Sequence, residues 1–118
     1  EIEDENSLIK AIGVLNDSLA SYLSENKTDY FVYDITWGGL ITSNGYSDPN
    51  ADFGNGWYND HHFHYGYFLY ASAVLTKFQP DFYYLYKDKL DFIIGDIGTK
   101  DYLVQYFPTA RHKDFFDG

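Results

Sequence analysis

The chain has no cysteine, no methionine, only three prolines and only eight Lys and Arg residues among 118. Without cysteine it is neither a disulfide-stapled scaffold nor a zinc finger, and it has no thiol nucleophile; that absence alone leaves the compartment open. Eighteen Asp and Glu bring the net charge to −10, which repels nucleic-acid phosphates and anionic lipid surfaces and excludes nucleic-acid binding. No apolar run approaches the ~18 residues of a membrane span. The acidic start Glu1-Ile2-Glu3-Asp4-Glu5 has the wrong sign for the n-region of a signal peptide. The expectation is a soluble chain that contacts neither nucleic acid nor membrane. Because it opens at Glu1 without methionine, it is also expected to be part of something longer.

Size bounds the fold. Area scaling gives a chain of this mass roughly 6,600 Å² of folded surface against roughly 20,000 Å² unfolded, enough for one core and one domain. The acidity is lopsided: residues 1–60 hold eleven acids and two lysines, whereas 61–118 hold seven acids and six bases. What is abundant is aromatic. Thirteen Tyr, ten Phe and two Trp make 21% of the chain, and a tyrosine joins an apolar ring to a polar tip. Such side chains suit a partly wet surface that grips an amphipathic ligand, a sugar or a protein partner.

Periodicity predicts a mostly helical chain. Leu8, Ile12, Leu15, Leu19 and Tyr22 recur at helical spacing and predict a helix over 7–23, capped by Asn6 or Ser7, with a polar linker at 24–29. Residues 30–46 are β-branched and aromatic, are interrupted by Gly38-Gly39 and include Asn44-Gly45, a strong turn signal; they predict a short hairpin. Ser47 to Tyr58, with Pro49, Gly54 and Gly56, reads as a long ordered loop, and Phe53 and Trp57 suit one that lines a site. A helix from His61 to Lys77, capped by Asn59 or Asp60, is apolar nearly all round and so expected to be buried. About four residues then lead to an antiparallel partner helix ending at Gly95. Tyr102 to Pro108 has an extended look.

The densest chemistry is Tyr58-Asn59-Asp60-His61-His62-Phe63-His64-Tyr65-Gly66-Tyr67, at the start of the apolar helix. Three readings stand side by side. The His and Tyr side chains are core groups and Asp60 caps the helix; or His61 and His64, three apart, hold a metal with a carboxylate; or Asp60 is an acid or base. The helix terminus pulls its pKa down, and burial among rings pushes it up. Trp37 and Trp57 suit sugar stacking and core anchoring equally. Neither a nucleophile elbow nor a phosphate-binding glycine loop is present.

Three segments carry a resemblance: Tyr33-Asp34-Ile35-Thr36-Trp37-Gly38-Gly39-Leu40, Asp52-Phe53-Gly54-Asn55-Gly56, and above all YNDHHFHYGYFLYA from Tyr58 to Ala71. They closely resemble glycoside hydrolase family 81, the endo-β-1,3-glucanases, and the likeness continues through Phe107-Pro108, Arg111, Lys113-Asp114 and Asp117-Gly118. The resemblance implies part of an (α/α)6 barrel, its N-terminal third, with a short hairpin and long ordered loops, and an inverting hydrolysis by two carboxylates. Asp60 matches the general acid. His64, Tyr58, His62, Tyr65, Trp37 and Asp52 would line the sugar cleft, with Asp52 the reserve candidate for catalysis. No cofactor or metal is implied, and the partner is a β-1,3-glucan polysaccharide or oligosaccharide.

The family's base is a glutamate downstream of the histidine-rich stretch, yet the only glutamates here, Glu1, Glu3, Glu5 and Glu25, all precede Asp60. Should the second carboxylate lie in this chain, it is among Asp34, Asp48, Asp52 and Asp114. A fragment of a barrel would expose apolar helix faces, which an oligomer can cover. An extracellular or cell-wall location stands slightly ahead of an intracellular one. A non-catalytic glucan-binding module is the alternative function, and a domain that docks protein partners through its tyrosines is the third.

Overall fold

The structure is a computed structural model that describes residues 2–24, 28–99 and 105–109. Helix α1 (Ile2–Leu23) leads to a hairpin of β1 (Phe31–Asp34) and β2 (Gly39–Thr42), a short helix α2 (Ser43–Ser47) and a 3₁₀ segment (Ala51–Trp57). Helices α3 (His61–Phe78) and α4 (Pro80–Ile97) follow. The chain is mostly helical, as expected, with one two-stranded antiparallel sheet.

Helix α1 starts five residues earlier than the apolar seam predicts. Glu3, Asp4 and Glu5 fill its first turn, where carboxylates interact favourably with the helix dipole and do the work assigned to an Asn6 or Ser7 cap. Only its C-terminal part is buried, through Leu19 and Leu23, while Leu8, Ile9 and Val14 are exposed.

The strands pair Phe31 with Thr42 and Asp34 with Gly39, so the hairpin turns at residues 35–38. Gly38 supplies the positive φ of +63°. The Asn44-Gly45 signal does not make a turn of the hairpin but lies inside α2. There the Thr42 hydroxyl accepts the Gly45 N–H at 2.9 Å and caps the helix. Gly45 serves a close crossing with Gly56: a Cβ on Gly45 would lie 3.0 Å from Gly56 Cα, and one on Gly56 would lie 2.5 Å from Gly45 C and O. The stretch expected as a long loop is therefore ordered by helical turns at both ends.

Only Gln79 separates α3 from α4. Pro80 opens α4 at a position that needs no N–H. The pair is antiparallel, since the first residue of α3, His61, bonds to Asp96 near the end of α4. Helix α4 does not stop at Gly95. That glycine is buried within the helix, which runs to Ile97 and ends at Gly98. Leu19, Leu23, Leu40, Tyr65, Leu75, Phe82, Leu90, Ile93 and Phe107 form the core between α1, the hairpin, α3 and α4.

Helix α3 departs from the all-round burial expected of it. His61, Tyr65, Ser72 and Leu75 are buried, but Phe63, Tyr67, Tyr70, Val74 and Phe78 are exposed. Its apolar residues therefore occupy two faces, of which the chain covers one. The extended stretch expected from Tyr102 begins outside the described residues, and Arg111, Lys113, Asp114, Asp117 and Gly118 also lie outside them.

Candidate functional site

The site is built where the hairpin, the 3₁₀ segment and the start of α3 meet. In an antiparallel strand the N–H and C=O of one residue point to the same side, and both groups of Leu40 on β2 are taken by helix side chains. Its N–H donates to Asp96 Oδ2 at 3.1 Å. Its carbonyl accepts the Tyr65 hydroxyl at 2.5 Å. The outer edge of the hairpin is thus closed by α3 and α4, which is one way to satisfy a strand edge without a third strand.

His61 occupies the centre of this junction. It is 1% exposed, as is Asp96, and its Nε2 lies 2.5 Å from Asp96 Oδ2. Its Nδ1 donates to the Asn55 carbonyl at 3.2 Å. With both ring nitrogens bonded inside the protein, His61 cannot act as the metal ligand that its spacing from His64 suggested. Among the described residues no group of three His, Asp or Glu side chains is arranged to hold a metal ion.

Asp60 lies immediately before α3 in a left-handed conformation, φ 49° and ψ 30°, and its side chain makes no capping hydrogen bond. The expected cap fails for a geometric reason: a capping Asp adopts the extended region, which aims its carboxylate at the N2 and N3 amides. Here only the backbone carbonyl serves the helix, accepting from Phe63 N at 2.9 Å and His64 N at 3.1 Å. The half-buried carboxylate is left available for other chemistry.

Tyr58, two residues earlier, is also left-handed, with φ 63°. Its hydroxyl donates to Asp34 Oδ2 at 3.0 Å, and its ring lies 4.7 Å from that of His61. Asp34 Oδ1 accepts the Thr36 N–H at 2.9 Å, so this buried carboxylate is spent on the hairpin turn and on Tyr58. Asp48 accepts the Asn50 N–H and likewise serves a local turn.

A cavity of about 380 Å³ adjoins this junction, bordered by Thr42, Asp52, Phe53, Asn55, His64, Tyr65, Tyr67 and Phe68 among others. Of the expected cleft residues it gathers Asp52, His64 and Tyr65. Asp52, with a left-handed φ of 53°, accepts a hydrogen bond from the Thr42 hydroxyl. Tyr65 brings its ring to the cavity while its hydroxyl stays on Leu40. Burial holds that hydroxyl's pKa well above 10, and the nearby Asp96 carboxylate adds to the effect.

Asp60, Tyr58, His62 and Trp37 are not among the residues that border the cavity. The His62 ring stacks on Phe63 with centroids 4.3 Å apart. Trp37 sits on the hairpin turn, 70% exposed, and Trp57 ends the 3₁₀ segment, 64% exposed, so neither anchors the core of the described residues. Asn55 was not among the expected site residues. Its buried Oδ1 has no hydrogen-bond partner among the described residues, and the residue borders the cavity, where such an oxygen can accept a hydroxyl. Asp96 was missed too, because the sequence reading ended α4 one residue before it.

The comparisons with known proteins agree with the motifs. The chain belongs to glycosyl hydrolase family 81, whose C-terminal domain matches residues 1–118. It is 36% identical over 118 residues to the primary septum glucan endo-1,3-beta-D-glucosidase of Schizosaccharomyces pombe, covering 98% of this chain and 12% of that protein. It is 32% identical over 119 residues to a glucan endo-1,3-beta-D-glucosidase of Arthroderma benhamiae, covering 99% of this chain and 13% of that protein. A glucan endo-1,3-beta-D-glucosidase of Glycine max is 50% identical over 71 residues, 60% of this chain and 11% of that protein. The chain therefore spans about one-eighth of the length of the curated relatives it matches. No solved structure matches it significantly.

Proposed function

We propose that this chain is a piece of an inverting endo-1,3-β-glucanase, the N-terminal third of an (α/α)6 catalytic barrel, in which Asp60 is the general acid. The observation that supports the reading is the state of Asp60: its carboxylate makes no capping bond to the helix it precedes, and His64, one turn further along that helix, borders the cavity with Asp52 and Asn55. Membership of the family and the names of the relatives support a β-1,3-glucan substrate, here taken to be the linear polymer.

In this mechanism Asp60 protonates the glycosidic oxygen as the bond to the anomeric carbon breaks. A second carboxylate, held about 6.5 to 9.5 Å away, deprotonates a water that attacks from the opposite face. All four glutamates of this chain precede Asp60, Asp34 and Asp48 are engaged in turns, Asp52 is bonded by Thr42 and Asp114 lies outside the described residues, so the base is assigned, as the resemblance implies, to a glutamate beyond this chain. Alone, the chain holds half of the catalytic pair.

The test is reducing-end release from linear β-1,3-glucan by this chain and by a protein extended to the length of its relatives. The extended protein is expected to be active and the 118-residue chain inactive; Asp60→Asn in the extended protein should cost about 10²- to 10⁴-fold in kcat. Turnover within a few-fold of wild type would remove Asp60 from the role. The exposed rings of Trp37, Phe53 and Trp57 favour a second reading, a glucan-binding module, which predicts affinity for the glucan with no cleavage in either protein.

A further inference from the structure

Asp60 has no side-chain bond of its own to the helix, so its place must be set by its neighbours in the chain. On one side the Tyr58 hydroxyl is tied to Asp34. On the other, His61 is tied to Asp96 of α4 and to the Asn55 carbonyl of the 3₁₀ segment. Asp96 Oδ2 also holds the Leu40 N–H of β2. Three separate elements thus converge on the residue whose Cα is about 3.8 Å from that of Asp60. We propose that His61 and Asp96 are positioning residues that hold Asp60 at the glycosidic oxygen. This proposal rests on the reading of Asp60 as the general acid.

The bonding pattern says why the pair must be His and Asp. A carbonyl only accepts, so His61 Nδ1 carries a hydrogen. The bridge from Nε2 to Asp96 Oδ2 joins two side chains that are each 1% exposed. Oδ2 alone receives both Nε2 and the Leu40 N–H. An asparagine cannot reproduce this. With oxygen in that place it would serve Leu40 but could accept from Nε2 only if the imidazole carried a buried charge or gave up its Nδ1 hydrogen bond to Asn55; with nitrogen there it would serve a neutral imidazole but confront the Leu40 N–H. One of the ties is lost or weakened either way, and the first turn of α3 is freed relative to the hairpin, the 3₁₀ segment or α4.

A displaced acid leaves a signature that general loss of structure does not. Protonation matters for a sugar leaving group and hardly at all for a dinitrophenolate, which departs unassisted. The experiment compares wild type, Asp60→Asn and Asp96→Asn of the extended enzyme on linear β-1,3-glucan and on the 2,4-dinitrophenyl β-glycoside of a β-1,3-linked glucose oligosaccharide. Thermal melting of each is recorded alongside. Asp96→Asn is expected to lower kcat on glucan by about 30- to 100-fold, with KM within about 3-fold, and to stay within about 3-fold of wild type on the aryl glycoside.

Equal slowing on both substrates, or none on glucan, overturns the proposal. Should Asp96→Asn fail to fold, His61→Gln decides by the same ratio, because its amide can still donate to Asp96 while the bond to the Asn55 carbonyl is lost. The control separates this inference from its foundation. An active Asp60→Asn enzyme would sink the acid assignment and the inference with it, whereas an inactive Asp60→Asn beside an unimpaired Asp96→Asn would sink the inference alone.

Discussion

Replacing Tyr65 by phenylalanine removes one oxygen from the interior and tests how the hairpin is held. The Tyr65 side chain is 3% exposed, and its hydroxyl is bonded to the Leu40 carbonyl at 2.5 Å. That bond contributes about 1 kcal/mol net, and the buried carbonyl left behind adds a desolvation cost, so the loss should total about 1–3 kcal/mol. The pH dependence gives a second, independent reading. The hydroxyl's pKa is raised well above 10 in the folded protein by burial, reinforced by Asp96, whereas in the unfolded chain it is about 10. Above pH ~10 the unfolded state therefore holds fewer protons than the native one, and stability falls with rising pH, by up to about 1.4 kcal/mol per pH unit. The contribution is complete below pH ~10. Urea unfolding of wild type and Tyr65→Phe from pH 7 to 11 should show a gap of about 1–3 kcal/mol at neutral pH that narrows above pH ~10. Parallel alkaline slopes, or a Phe variant as stable as wild type at pH 7, would refute the account.

Two further substitutions probe the scaffold and the loop aromatics. Gly56→Ala places a methyl 2.5 Å from the Gly45 backbone, where no side chain can yield, and should destabilise by about 3 kcal/mol in urea melts; wild-type stability would mean the crossing is absent. Trp37→Ala removes a side chain that is 70% exposed and should change stability by no more than about 0.5 kcal/mol. In the extended enzyme the same variant should weaken binding of a β-1,3-linked glucose oligosaccharide about 3- to 10-fold by titration calorimetry, the value of one ring stack; unchanged affinity would take Trp37 out of the binding surface.

The sequence revealed what depends on periodicity and composition. It placed α1, α3, α4 and the hairpin because apolar spacing decides those elements, and the motif around Asp60 carried the family. It was less informative wherever tertiary contact overrides a local signal. Asn44-Gly45 is a good hairpin turn in isolation, but Thr42 caps a helix across it, and Gly45 is needed to let Gly56 pass. Gly95 looks like a helix stop, yet it is buried inside α4. That error hid Asp96, whose partners, His61 and Leu40, are 35 and 56 residues away. No local pattern joins them. The missing Asp60 cap was equally illegible, since residue type favours the cap and only the left-handed backbone forbids it.

The aromatic richness that composition presents as one property divides into two in the structure. Phe63, Tyr67, Tyr70, Val74 and Phe78 are exposed along α3 at spacings of four, three, four and four. Large side chains at that period form a ridge that fits the groove of another helix, and a contiguous apolar face of this kind is rare on a monomer's free surface. Trp37, Phe53 and Trp57 are exposed as well but have no helical period. They project from the hairpin turn and the 3₁₀ segment, which Gly38, Gly54 and the Gly45–Gly56 crossing bend sharply. Rings on rigid, aperiodic segments suit a ligand rather than a helix. The cavity lies where the two sets meet, with Tyr67 from the ridge and Phe53 from the loop both on its border. In the proposed barrel, neighbouring helices would cover the ridge and so complete one wall of the cleft, while Phe53, Asp52 and Asn55 of the 3₁₀ segment stand on the other. Folding and substrate binding would then share a boundary at Tyr67.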